Sequence, residues 1–159
     1  MSLNSIELEK QLLAGLIKHP DAYVELAPFI NEEDFDDTID LVNKTIFTVL
    51  RNAIENGTQL DHVALGERIN SLGLTFDANV HIGSYVQALD LRKCPKHTIF
   101  STAKDLKNLT IRRDGIKRCR ELAKYFEKTP LDTPFESLIN NSDKIWNEHI
   151  NNYDNSCSN

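Results

Sequence analysis

Little in this sequence suits a secreted chain, a membrane chain or an enzyme. No apolar run approaches the ~18 residues of a membrane span. The start, Met1-Ser2-Leu3-Asn4, is too polar for a signal peptide, so a cytoplasmic chain with no membrane contact is expected. The three cysteines, Cys94, Cys119 and Cys157, are odd in number and far apart. They suit reduced thiols better than a disulfide framework. The six glycines (15, 57, 66, 73, 83 and 115) never fall in a GxxxxGK[ST] spacing, and none precedes a lysine. A phosphate-cradling loop is therefore unsupported. GxSxG and HExxH are missing as well. The five histidines (19, 62, 81, 97 and 149) are scattered, with no CxxC or HxxxH pair, so no metal site is expected. No nucleophile–base set is visible, and neither catalytic residues nor a cofactor are expected. Strand-like alternation over four or more residues is hard to find.

What is present is ordinary globular material. Of 159 residues, 40% are hydrophobic and 26% charged, which argues against wholesale disorder. A chain of this size can bury roughly 70% of the surface that it exposes unfolded. The net charge of −6 disfavours binding nucleic acid with the whole surface, but it hides an asymmetry. Residues 1–91 hold 15 acids and 5 bases, residues 92–128 hold 4 acids and 12 bases, and residues 129–159 hold 5 acids and 1 base.

Helical periodicity runs nearly throughout. Ile6, Leu12, Leu13, Leu16 and Ile17 mark a first helix. Asn4 or Ser5 can cap it, Glu7 and Glu9 suit its dipole, and His19-Pro20 ends it. A short helix over 21–27 follows, stopped at Pro28. Asn31-Glu32-Glu33-Asp34-Phe35 reads as one capped turn. The pattern predicts a helix over about 37–56, with Ile39, Val42, Ile46, Val49, Leu50 and Ile54 inward and Gly57 past its end. Asp61 caps the next, whose apolar residues are Val63, Leu65, Ile69 and Leu72, with Gly73 as its stop. Another spans roughly 80–91. The fold class expected is all-α: a compact helical head over 4–91, a long antiparallel helical hairpin over 95–150, and a frayed tail over 151–159.

The hairpin carries the candidate surface. Residues 96–127 lack proline and can form one helix of ~48 Å at 1.5 Å per residue. Its apolar positions, Ile99, Ala103, Leu106, Leu109, Ile116, Cys119, Ala123 and Phe126, make a narrow seam. Arg112 and Arg113 interrupt it, and Gly115 costs about 1 kcal/mol against alanine, so a bend or break is expected near 112–115. The restart places Thr133 as N-cap, Pro134 at N1 and Glu136 at N3 of a capping box. Phe135, Ile139, Trp146, Ile150 and Tyr153 then recur at helical spacing. Either the hairpin buries the seam within itself, or its outer faces lean on the head or a second copy. The residues assigned to interaction are Leu106, Leu109, Ile116, Phe126, Phe135, Ile139 and Trp146. Arg112, Arg113, Lys117 and Arg118 are the electrostatic candidates. The basic stretch has three readings: a solvated helix, pairing with an acidic surface on another subunit, or nucleic-acid contact. It has few aromatics for base stacking. The acidic run, Glu32-Glu33-Asp34, Asp36-Asp37 and Asp40, lacks the order of a calcium loop and reads as helix-start charge on a solvated face, with a divalent-ion or partner site as the alternative.

An ordered set of motifs carries a resemblance. Ser5-Ile6-Glu7-Leu8-Glu9, Leu12-Leu13-Ala14-Gly15-Leu16-Ile17 and His19-Pro20-Asp21-Ala22 open it. Glu33-Asp34-Phe35 and Ile46-Phe47 follow. Gly57-Thr58-Gln59-Leu60-Asp61-His62-Val63-Ala64-Leu65, with Glu67, Ile69 and Gly73-Leu74, is the nearest stretch. Gly83-Ser84-Tyr85-Val86-Gln87-Ala88-Leu89, Cys94-Pro95 and Arg112-Arg113 complete the set. In this order they resemble the N-terminal domain of DnaB-type replicative DNA helicases, over roughly residues 5–128. Departures include about three extra residues between Phe35 and Ile46, Asn43 where a histidine is common, a single Gly83, and Gly115 within the hairpin. They fit a divergent phage or mobile-element member.

The resemblance implies a non-catalytic module, with the ATPase in a following domain of an ATP-dependent helicase. It implies self-association, as a homodimer or larger through the hairpin, within a hexamer collar. It also implies contact with primase or a helicase loader, and DNA contact that is weak or made through the parent helicase. The missing phosphate loop fits a chain that stops before the motor. Two alternatives stand beside this reading: a stand-alone helicase-binding module, such as a primase C-terminal-like domain, phage loader or inhibitor, and a DNA-binding protein using residues 92–128.

Overall fold

Helix α1 (Ile6–Lys18) begins where the sequence supplies a cap: Ser5 Oγ accepts from the Leu8 N–H at 3.1 Å. It ends at His19, whose N–H donates to the Gly15 carbonyl before Pro20. A 3₁₀ turn (Pro20–Ala22) leads into the single-turn α2 (Tyr23–Leu26). A second 3₁₀ turn (Glu32–Asp34) is closed by a reciprocal box. Asn31 Oδ1 accepts from the Glu33 N–H, and Asp34 Oδ2 from the Asn31 N–H at 2.9 Å. Helix α3 spans Val42–Glu55, α4 His62–Asn70 and α5 Ile82–Asp90. A third 3₁₀ turn (Lys96–Thr98) precedes α6 (Ile99–Lys128), and α7 spans Phe135–Tyr153.

The computed structural model describes residues 4–38 and 41–154. The expectations for Met1–Leu3, for an inward Ile39, for Asp40 in the acidic run, for Cys157 and for the tail beyond 154 lie outside the described residues. Among the described residues there is no strand, so the fold is all-α.

Three local expectations are corrected. α3 starts at Val42 rather than near 37, because Asp36 Oδ1 accepts from the Thr38 N–H and holds the chain in a turn. α6 runs unbroken through Gly115. Thr133 does not cap α7: its N–H donates to the Pro130 carbonyl, and Pro134, with ψ 144°, is the flanking residue instead. Other punctuation is as the sequence predicts. Asp61 Oδ1 accepts from the Ala64 N–H at 2.7 Å, and Gly57 and Gly73 take φ of 71° and 70° after α3 and α4.

The chain divides into two compact units, Met1–Asn108 and Leu109–Asn159, and the boundary falls inside α6. In the first unit α4 packs on α5, and α1 packs on both α3 and α5. Leu12, Leu13, Leu16, Phe47, Leu65 and Val86 are fully enclosed. Phe35 stacks on Phe47 with ring centroids 4.6 Å apart. The opening turns of α6 belong to this core through Ile99, Ala103 and Leu106. They come so close to α1 that a Cβ on Gly15 would lie 2.8 Å from Ile99 Cγ1 and 2.9 Å from Cys94 Sγ.

Buried polar groups in the first unit are paired, as burial requires. Glu9 on α1 accepts from Asn43 Nδ2 on α3 at 3.0 Å and from the Asp36 N–H at 3.2 Å. Asn43 Oδ1 accepts from the Tyr85 hydroxyl of α5 at 2.6 Å. Lys107 Nζ on α6 meets the enclosed Asp34 carboxylate at 3.0 Å and Glu33 at 3.4 Å. Much of the acidic run is thereby neutralised by neighbours. Glu32 pairs with Arg51, which holds its carboxyl below the ordinary value, and Asp37 pairs with Lys44 at 2.9 Å.

Candidate functional site

The second unit is a two-helix hairpin, and several polar pairs join its two helices. Asp114 on α6 lies 2.7 Å from His149 Nδ1 on α7. Arg118 Nη1 donates to Glu148 Oε2 at 2.7 Å and to Glu121 Oε2 at 3.4 Å. The Tyr125 hydroxyl donates to the Ser137 carbonyl at 3.5 Å. Rising positions on one helix thus meet falling positions on the other, which makes the pair antiparallel. Desolvation opposes the charge of Arg118. The fields of Asp114, Glu121 and Glu148 outweigh it and hold the guanidinium above its ordinary value. Arg118 Nε is buried without a hydrogen bond, 3.7 Å from Asp114 Oδ2.

Gly115 fits this seam. A Cβ there would lie 3.4 Å from Cε1 and Nε2 of His149. The His149 ring sits between Trp146, 5.1 Å away by centroids, and Tyr153, 5.2 Å away. The half-buried positions Ile111, Asp114, Gly115, Arg118, Leu122 and Tyr125 trace the inward face of α6. Leu138, Ser142, Ile145, His149 and the buried Tyr153 trace that of α7.

The other apolar residues of the two helices lie outside these inward faces. Phe126 is 53% exposed, Phe135 84%, Ile139 66%, Ile150 44% and Trp146 38%. Ile116, Cys119 and Ala123 are exposed as well. By helical geometry, positions 116, 119, 123 and 126 lie about a quarter turn from the inward face of α6. Positions 135, 139, 146 and 150 lie about a quarter turn from that of α7. Because the helices run antiparallel, both offsets fall on one side of the pair, and the two stripes form one continuous apolar face.

The remaining sequence-assigned residues are placed as follows. Leu106 has no exposed surface and fills the core of the first unit. Leu109 is half-buried. Arg112 and Lys117 are exposed. Arg113 Nη2 donates to Thr110 Oγ1 at 3.3 Å, and Arg118 is held within the seam. The sequence reading missed the Asp114–His149 and Arg118–Glu148 pairs, which lie 35 and 30 residues apart. It also left Ile150 out of the interaction set, although its helical spacing with Trp146 carries the signal.

Among the described residues no group of three or more His, Cys, Asp or Glu could hold a metal ion, and no helix is long and apolar enough to cross a membrane. One open cleft of about 350 Å³ is lined by Asp21, Val24, Glu25, Lys96 and Phe100. Another, of about 260 Å³, lies between Leu16, Ile17, Leu50 and Leu60. His97 also lines the first cleft, where Lys96 pairs with Asp21.

The described residues form an all-α head unit and a helical hairpin with an apolar outer face. Residues 1–90 match the family described as DnaB-like helicase N terminal domain. The chain belongs to that family. Its fold is similar to the crystal structure of the N-terminal domain of DnaB helicase from Mycobacterium tuberculosis, with a TM-score of 0.77 at 11% identity. That similarity covers 93% of this chain and 99% of the other. No curated protein matches the sequence.

Proposed function

We propose that the chain is an assembly module of a DnaB-like replicative helicase: two copies pair through the apolar face of the hairpin, and the pair offers its remaining surface to a primase or a helicase loader. The observation that carries this reading is the exposure of Phe126, Phe135, Ile139, Trp146 and Ile150 on one side of a hairpin that closes through other residues. Monomeric proteins rarely leave a contiguous apolar area of this kind uncovered. Each large apolar side chain taken from exposed to buried contributes about 1.5–3 kcal/mol. A face that meets its own copy across a two-fold axis is self-complementary.

Sedimentation analysis of the full chain at ~100 μM, a range in which weak self-association is populated by mass action, tests the reading. The wild type is expected to sediment as a dimer or larger species. Phe135→Glu/Ile139→Glu is expected to be a monomer with unchanged helical circular dichroism, since both residues are exposed. A strictly monomeric wild type overturns the proposal. A pull-down separates the partners: capture of a primase C-terminal domain supports the module reading. Preference for another helicase's N-terminal collar favours a stand-alone helicase-binding protein.

A further inference from the structure

The members of the apolar face are not all held equally. Phe135 and Ile139 stand 84% and 66% exposed. Trp146, the single tryptophan of the chain, follows Ile139 by seven residues and precedes Ile150 by four, which places it between them on one stripe of α7. Its indole leans on the His149 ring, with centroids 5.1 Å apart and planes tilted by 32°. The same His149 ring also meets Tyr153, 5.2 Å away and buried. His149 is fixed in turn by Asp114 of α6, whose Oδ2 lies 2.7 Å from Nδ1. A carboxylate only accepts, so Nδ1 carries the proton of this bond. Arg118 Nε stands 3.7 Å from the same carboxylate oxygen. Asp114 and His149 are both largely withdrawn from water.

We infer that Trp146 is the anchor of the pairing between two copies, and that Asp114, acting through His149, is the residue that positions it. The inference rests on the pairing proposed above. An anchor needs a large surface to bury, a place away from the rim, and a conformation set before the partner arrives. Indole supplies the area, and only two side-chain torsions must be ordered to use it. Ile139 and Ile150 flank it along α7 and exclude water from its surroundings once a second copy covers the face. The stack on His149 meets the third requirement: the ring is already backed in the free chain, so less freedom is lost on pairing. Asp114 touches neither the apolar face nor the second copy. It acts by holding the imidazole against which the indole rests.

Because Trp146 is the one tryptophan, its fluorescence reports on this position alone. In a dilution series of the full chain, sedimentation gives the dissociation constant of the pair. The indole emission should move to shorter wavelength as copies associate, with the same midpoint. Trp146→Ala should raise the dissociation constant about thirtyfold or more. Asp114→Ala should raise it roughly five- to tenfold, the cost of ordering one freed side chain, and should add fast local motion to the decay of indole anisotropy. Asp114→Asn keeps an oxygen that accepts from His149 Nδ1 and should restore both readings. Asp114→Ala/His149→Phe gives the indole an aromatic backing that needs no carboxylate, and should restore them as well. Circular dichroism of each variant reports the fold, and these two rescues separate a lost positioning contact from a loosened hairpin. If Trp146→Ala pairs as tightly as the wild type, or if the wild type associates with constant indole emission, the inference is overturned and the pairing stands. The positioning role of Asp114 is overturned if Asp114→Asn behaves as Asp114→Ala does. A wild type that never associates overturns the pairing and the inference together.

Discussion

Gly15 and Gly115 look alike in sequence, each a helix-interior glycine, yet their surroundings make opposite demands. At Gly115 a methyl group would rest 3.4 Å from the His149 ring, an ordinary contact. Gly115→Ala is therefore expected to raise stability by roughly 0.5–1 kcal/mol through the gain in helix propensity alone. At Gly15 the same methyl would press on Ile99 and Cys94, at 2.8 and 2.9 Å. Both neighbours are buried, so one of them must shift within the core. Gly15→Ala is expected to cost about 1–3 kcal/mol, as overpacked cores do. Urea denaturation of the two variants beside the wild type checks both signs in one experiment. A parallel response at the two positions would show that helix propensity, rather than the distance to the neighbouring side chain, governs them.

Among the elements, α6 is held to the first unit by more than its apolar residues. Lys107 reaches from its third turn to Asp34, which has no exposed surface. Lys107→Met keeps the aliphatic stem but leaves the Asp34 carboxylate without its cation. A loss of about 3 kcal/mol is expected, the usual result of breaking a buried pair from one side. Restoring neutrality with Asp34→Asn in the same chain should recover part of it in a chemical-denaturation series. The sequence made much of this architecture legible. Ser5 and Asp61 cap as their residue types predict, Gly57 and Gly73 terminate as theirs do, and the apolar spacing of Leu12, Leu13 and Leu16 marks a buried face. What it hid was long-range. Periodicity at Ile116, Ala123 and Phe126 says that a stripe is apolar; it does not say what covers it. The seam was illegible because Asp114, Arg118, Glu148 and His149 each read singly as solvated charges. Only the return of α7 shows that they answer one another.

At the scale of the whole molecule, apolar burial is unevenly shared. Every member of the main core lies at or before Leu106, whereas Tyr153 is the one buried side chain described on α7. Backbone amides of α1, α3 and the opening turns of α6 are expected to be the last to exchange with deuterium, and those of α7 among the first. In a concentration series α7 should become slower to exchange as copies associate, while α1 stays constant. Uniform protection at all concentrations would contradict that division of burial. The way the hairpin closes has a consequence for descent. The groups that fasten its two stems to each other are not the groups on its apolar side, so substitution can rewrite one set and spare the other. A lineage built on this plan is free to exchange its mates while its scaffold persists.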